Sequence, residues 1–256
     1  FKTACEMSNT ARATVYRGYS DEWQRIWNLK LREHKVDIER AMLFGQRASV
    51  GGTQYSEGIV GHIIAESGAI TADTTQLSYS EGKAYHKSIA AGSMTYDNFL
   101  SDLEVVFDPA RGGTSSKLAL CSLPVVSLFN KIGDGGFVDA SLGSANGGAR
   151  MANSYNFDSN KGAFGHKVMK LETIHGDISL VKEPLFRGLS STFMALVDLD
   201  HVAYRPLVGN GVNRDTSITT NVQQADEDLR KDLILTEAGL EITLPETHAL
   251  FNIEGA

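Results

Sequence analysis

The run from Gly176 to Leu207, GDISLVKEPLFRGLSSTFMALVDLDHVAYRPL, constrains the fold more than any other stretch of the chain. Ile178 and Leu180 stand at alternate positions before Lys182-Glu183-Pro184 breaks the pattern, which predicts a half-buried strand ended by a turn. After a second break at Arg187-Gly188, Thr192 to Leu199 is almost unbroken apolar sequence, too short for an independent helix and closed by Asp198 and Asp200. That composition predicts a strand buried on both faces. Farther on come Leu233 and Leu235, a turn at Glu237-Ala238-Gly239, and then Leu240, Ile242 and Leu244 up to Pro245. The alternation predicts two strands folded back on each other. None of this supplies a nucleophile, a base or a cluster of ligands.

Ahead of that region, Thr10 to Tyr19 carries β-formers spaced by polar residues and reads as one arm of an extended hairpin whose other arm lies upstream. Ser20, followed by Asp21 and Glu22, predicts the N-cap of a helix running to about Phe44 and stopping at Gly45. Trp23, Ile26, Trp27, Leu31, Ile38 and Met42 fall on one broad face of it, while Arg25, Lys35 and Glu39 point away. At 1.5 Å per residue this is a rod of roughly 36 Å.

Ala48 to Ser80 is rich in Gly, Ser and Thr around an apolar cluster at Ile59-Val60 and Ile63-Ile64, a composition that covers an edge or links layers. Met94 to Phe107 predicts a second helix, capped by Thr95, lined by Tyr96, Phe99, Leu100, Leu103, Val106 and Phe107, and closed by Pro109. Gly112-Gly113 predicts a turn, Leu118 to Cys121 a short buried strand, and Pro124 the first turn of a helix to about Ile132. Asp134 to Gly165 has no strong period and reads as a long loop that is either mobile or ordered by a partner. Gly209 to Asp232 is a second polar loop, whose charge run from Asp226 to Asp232 reads first as solvated surface and second as an intersubunit ion-pair patch.

Composition narrows the classes of function. With 42% hydrophobic and 21% charged residues over 256 positions, the chain is long enough for one elaborated domain or two joined ones. No apolar run approaches the ~18 residues of a spanning helix. The chain opens on Phe1 without a secretory-type leader, so the expectation is a cleaved precursor or a longer product. Cys5 and Cys121 lack the spacing of a metal or redox motif and read as reduced buried thiols. A net charge of −7 argues against an adhesive nucleic-acid binder, whose phosphate contacts demand clustered Lys and Arg.

Enzyme motifs fail when tried. Ser80-Glu81-Gly82-Lys83 fits Ser-x-x-Lys, but the accompanying Ser-Asp-Asn and Lys-Thr-Gly elements are missing. The seven histidines never form a zinc-protease pattern. His201 beside Asp200 has no nucleophile elbow to serve, and no phosphate-cradling glycine motif occurs. The expectation is no catalytic residue, no cofactor and no metal.

Several passages, in order, carry a resemblance: HGDISLVKEPLF, ALVDLDHVAYRPL, the closing LTEAGLEITLPETHALFNIEG, and KVDIERAMLFGQRA at the end of the long helix. Together they resemble the major capsid proteins of tailed phages, with the Hong Kong 97-like fold that encapsulin shells also use. The resemblance implies an α+β subunit with a long spine helix, peripheral and axial domains and an extended loop. Its implied division is 1–19 for the remainder of the extended loop, 20–110 for the spine helix and first part of the peripheral domain, 111–200 for the axial domain, and 201–256 for the return. It implies a structural, non-enzymatic protein that self-assembles into an icosahedral head enclosing double-stranded DNA.

Implied partners are copies of itself in hexamers and pentamers, together with a cement or decoration protein, a portal and a scaffold. DNA would be enclosed without sequence-specific binding, no membrane would be involved, and assembly would take place in the host cytoplasm. Welding of neighbours by Lys-to-Asn isopeptide bonds, with Lys131 and Lys161 available, stays open beside non-covalent cementing. The side chains expected to meet neighbours are Arg17, Arg25, Lys30, Arg32, Lys35, Glu39, Asp226, Glu227, Asp228 and Arg230. An encapsulin-like compartment and a soluble α+β hydrolase are the alternatives.

Overall fold

The computed structural model describes residues 1–15, 17–18, 21–67, 83–90, 92–94, 96–135, 158–161 and 167–254. In chain order the elements are β1 (Lys2–Ser8), α1 (Asn9–Ala13), α2 (Glu22–Phe44), β2 (Ala48–Val50), β3 (Thr53–Tyr55), α3 (Ile59–Glu66), β4 (Tyr85–Ile89), α4 (Tyr96–Val106), β5 (Ser116–Cys121) and α5 (Leu123–Gly135). There follow β6 (Asp158–Lys161), β7 (Lys167–Glu172), β8 (Asp177–Lys182), β9 (Phe193–Val197), β10 (Val202–Pro206), β11 (Val208–Gly209), β12 (Val212–Asn213), β13 (Ser217–Thr219), β14 (Leu229–Leu235), β15 (Ala238–Ile242) and β16 (Ala249–Ile253). The chain divides into two units, Phe1–Gly61 with Ala203–Glu241, and His62–Val202 with Ile242–Ala256.

The second unit is built on a seven-stranded mixed sheet in the order β4-β16-β9-β5-β8-β7-β6. As the sequence predicts, β8 buries Ile178 and Leu180, and β9 lies in the middle with Met194 to Val197 inaccessible to water. One face of the sheet packs against α4 and α5. Phe99, Leu103 and Val106, spaced four and three apart on α4, meet Val125, Val126 and Phe129 of α5 over Cys121, Leu196 and Phe251. The Phe99 ring lies edge-on to Phe129 at 5.1 Å and to Phe251 at 6.1 Å between centroids. The β7–β8 turn needs Gly176, because a Cβ there would stand 2.5 Å from the Ser115 carbonyl and 2.6 Å from the Phe107 ring.

The first unit holds α2 and the three-stranded sheet β1-β14-β13. Asp21, not Ser20, caps α2: its carboxylate accepts from the Gln24 amide at 3.1 Å, while Ser20 lies outside the described residues. Gly45 ends the helix as expected, its amide donating to Ala41 O at 2.8 Å. The broad apolar face is only half covered, and the side chains that are buried are His34 and Leu43. His34 is held by Thr3 Oγ1 and Thr236 Oγ1, each at 2.9 Å, one on each ring nitrogen.

Two expectations are corrected. Thr10 to Val15 is not a strand: the strand comes earlier, at β1, and Asn9–Ala13 turns into a short helix capped by Ser8, while Tyr16 and Tyr19 lie outside the described residues. Nor do the strands flanking Glu237-Ala238-Gly239 fold back on each other. β14 pairs with β1 and β13, and β15 pairs with β10. The buried side chains of β14 are Asp232 and Ile234, one position out of step with Leu233 and Leu235, because β1 and β13 dictate its face. The expected Thr95 cap, the Ser80-Glu81-Gly82 part of the Ser-x-x-Lys match, most of the 134–165 loop, and the side chains of Lys131 and Lys161 lie outside the described residues.

Candidate assembly surfaces and a buried charge cluster

In α2 the charged side chains expected to meet neighbours separate into two groups. Arg25 and Lys30 are engaged within the helix, Arg25 Nε donating to Glu22 at 2.8 Å and Lys30 Nζ to Glu33 at 2.7 Å, both one turn away. Arg32, Lys35 and Glu39 are exposed and make no ion pair with another described residue. Arg17 is exposed in a turn rather than on a strand.

The loop residues also divide. Asp226 and Glu227 are exposed, and Glu227 accepts from the Gln224 amide at 3.4 Å. Asp228 takes the Asn9 side-chain amide at 2.6 Å, fastening the loop to the start of α1. Arg230 turns inward: its guanidinium lies 4.8 Å from the Trp23 ring centre and donates to Asp232 Oδ2 at 3.3 Å, while Arg12 approaches the same ring at 5.9 Å. Charge patterning alone does not separate these spent side chains from the available ones, because both groups look equally polar along the chain.

Exposed apolar side chains accompany the free charges in the first unit. Val50 and Tyr55 stand on the β2–β3 hairpin, and Tyr204, Leu207, Val208 and Val212 on the strands from β10 to β12. The chain leaves them open although each would be more stable covered.

The second unit contains what the sequence reading missed, a charge cluster within its core. Along β5 the buried face carries Lys117, Ala119 and Cys121, so the period-two pattern itself marks this lysine as inward. Lys117 Nζ donates to the Thr247 carbonyl at 2.8 Å and lies 3.5 Å from Asp198 Oδ2, with both side chains almost wholly enclosed. Asp198, at the end of β9, also accepts from the Thr114 amide at 2.7 Å, the Thr114 hydroxyl at 3.0 Å and the Asp200 amide at 3.2 Å.

Burial drives the Asp198 carboxyl up, but the hydrogen bonds from Thr114 and the neighbouring Lys117 outweigh it and hold the group below the usual range. Burial pushes the Lys117 ammonium down against the opposing pull of Asp198. His248 Nδ1 accepts from the Asp198 amide at 3.2 Å, while its buried Nε2 has no partner among the described residues, and burial lowers the ring to about 4. The imidazole is therefore neutral at pH 7.

This arrangement is a clamp rather than a reaction centre. Asp198 is saturated by donors, the Thr114 hydroxyl among them, and the recess beside it is lined by Thr114, Ser116, Lys117, Leu118, Ser179, Leu199 and Asp200. His201 hydrogen-bonds Thr243 Oγ1 at 3.3 Å and serves no nucleophile. Among the described residues no three His, Cys, Asp or Glu side chains gather as a metal site, and no helix is long and apolar enough to cross a membrane. Cys5 and Cys121 are free and buried, each thiol pushed up mainly by desolvation.

Comparison with known structures places the fold. The chain is similar to a structure of Mycobacterium phage Patience at 14% identity and TM-score 0.55, covering all of this chain and 70% of the other. It is similar to the capsid of cyanophage A-1(L) at 12% identity and TM-score 0.59, covering 98% and 76%. It is also similar to the SrpI encapsulin of Synechococcus elongatus at 11% identity and TM-score 0.52, covering 98% and 72%. No curated protein matches by sequence. The fold is thus the Hong Kong 97-like α+β fold. The model of the SU10 major capsid protein family matches residues 1–254, and the chain belongs to that family, a structural, non-enzymatic protein of the tailed-phage head shell.

Proposed function

We propose that copies of this chain close into hexamers and pentamers of an icosahedral head around double-stranded DNA, assembled in the host cytoplasm. Self-association into a shell follows from the family; the ring types, the DNA cargo and the place of assembly are the step beyond it. The family match across residues 1–254 carries the reading. Heterologous contacts that close by rotation give rings, and each specific contact has to bury on the order of 1,000 Å². In this reading residues 1–19 end an extended loop, 20–110 hold the spine helix and the first part of the peripheral domain, 111–200 form the axial domain, and 201–256 return to the peripheral domain.

Neighbour contacts fall to the charges left unpaired among the described residues: Arg17, Arg32, Lys35, Glu39 and Asp226. Arg25, Lys30, Glu227, Asp228 and Arg230 already have partners within the chain and take a smaller share. A portal at one vertex, a scaffold and a cement protein complete the assembly. The net charge of −7 suits a lining that repels packed DNA rather than gripping it.

The test is expression of the full gene product with Arg17→Glu and Lys35→Glu, imaging particles and measuring subunit melting. Fewer closed particles with an unchanged melt supports these contacts, and wild-type yield discards them. Nuclease-resistant DNA in particles from infected cells supports the phage head. Enclosed protein cargo would favour an encapsulin-like compartment instead.

A further inference from the structure

The β2–β3 hairpin is unusual in being both orderly and uncovered. Its register sets Ala48 opposite Tyr55, Ser49 opposite Gln54 and Val50 opposite Thr53. Because side chains alternate across a strand, Ala48, Val50, Thr53 and Tyr55 share one face, and Ser49 and Gln54 share the other. The polar face satisfies itself, Gln54 Nε2 donating to Ser49 Oγ at 2.9 Å. The apolar face lies open: all six strand residues are exposed, Val50 at 65% and Tyr55 at 54%.

The root of the hairpin is tightly built. Gly58 N donates to Gly45 O at 2.9 Å, and a Cβ on Gly58 would come within 2.7 Å of Leu43 O, so the two glycines let the backbones touch. Ser56 Oγ accepts from the Leu240 amide at 3.1 Å. At the tip, Gly51 and Gly52 take φ of 58° and 81°, the left-handed pair of a tight hairpin turn. An isolated two-stranded hairpin is only marginally stable in water, and a hydrophobic face has to be covered to hold it. Sequence and geometry therefore build a finger with an apolar pad that its own chain leaves bare.

Charge indicates what covers it. Arg47 is the one charged residue between Gln46 and Ser56, so the finger is neutral to basic on a chain of net charge −7. Its sign is complementary to the net negative charge of another copy. We propose that the apolar face of the β2–β3 hairpin docks on a second copy of this chain as a clasp between subunits, an inference that rests on the shell reading above. A Val and a Tyr side chain contribute on the order of a few hundred Å². This is well short of the ~1,000 Å² of a specific interface. The clasp therefore supplements a larger contact, and its loss lowers yield rather than abolishing assembly.

The experiment compares the wild-type full gene product with Val50→Ser/Tyr55→Ser and with Gln54→Ala on the polar face. Closed particles are counted by sedimentation and imaging, and amide exchange of residues 48–55 is followed in free subunits and in particles. The expected result is an unchanged melt for all three, about a tenfold fall in particles for the double variant alone, and about tenfold slower exchange of the hairpin in wild-type particles than in free subunits. Wild-type particle yield from the double variant, or equal exchange in the free and assembled states, overturns the clasp while leaving the shell reading intact. Failure of the wild type to form particles overturns the shell reading, and the clasp with it.

Discussion

The two units differ in how completely their main elements are enclosed. In the unit with the seven-stranded sheet, even a lysine and an aspartate are drawn inside, and β9 and β16 are almost completely enclosed. In the unit with α2, a helix of 23 residues buries only His34 and Leu43, and a hairpin stands with its apolar face in water. The difference teaches a division of labour. One unit encloses its central strands, and the other leaves the broad face of its helix half covered and its hairpin open to water.

Unequal responses to equivalent damage would sharpen this contrast. Asp198→Ala should have the largest effect, because it strands the buried Lys117 ammonium with the Thr247 carbonyl as its remaining hydrogen-bond partner. Removing one partner of a buried pair costs roughly 3–5 kcal/mol. Denaturant unfolding of the isolated subunit measures it, and a cost under ~1 kcal/mol would show that the cluster is not a clamp.

Truncations come next. Phe251→Ala, within the aromatic group of the large sheet, should cost about 4 kcal/mol. Ile38→Ala on the half-covered face of α2 should cost only about 1 kcal/mol in the free subunit. Equal costs would break the comparison.

A further effect is set by pH. His248 binds its proton at about 4 when folded against 6.5 as the ordinary value. The unfolded chain therefore holds more protons across that window, and stability must fall as pH drops through it. The loss from pH 7 to pH 4 should be about 3 kcal/mol. The depressed Asp198 carboxyl adds its own loss only at still lower pH. His248→Asn should flatten the curve between pH 4 and pH 6.5, measured as the denaturant midpoint; an unchanged slope would contradict the assignment.

Much of the large sheet was legible because its signals are local. The apolar run ending at Asp198 can only be a buried strand, and the spacing of Phe99, Leu103 and Val106 can only line one side of a helix. What failed was pairing across long separations. The turn at Glu237-Ala238-Gly239 suggested a hairpin, yet Leu235 pairs with Lys2 and Ser217, partners that no local pattern names. β16 was not singled out because ALFNI lies beyond Pro245 without alternation, although it runs between β4 and β9 inside the sheet. His34 sits in a polar-looking stretch of α2, and only Thr3 and Thr236 folding over it make it a buried residue. The residues expected at subunit contacts were legible as charges, but not as free or spent charges, since that depends on partners such as Trp23 and Asn9.

The most direct test of the account is amine labelling of free subunits and assembled particles, read residue by residue by mass spectrometry. Lys35, exposed on α2, should react readily in the subunit and at least tenfold more slowly in the particle. Lys117, enclosed in the core, should stay unreactive in both. Equal labelling of Lys35 in the two states would contradict the claim that the open surface of this unit is where copies meet.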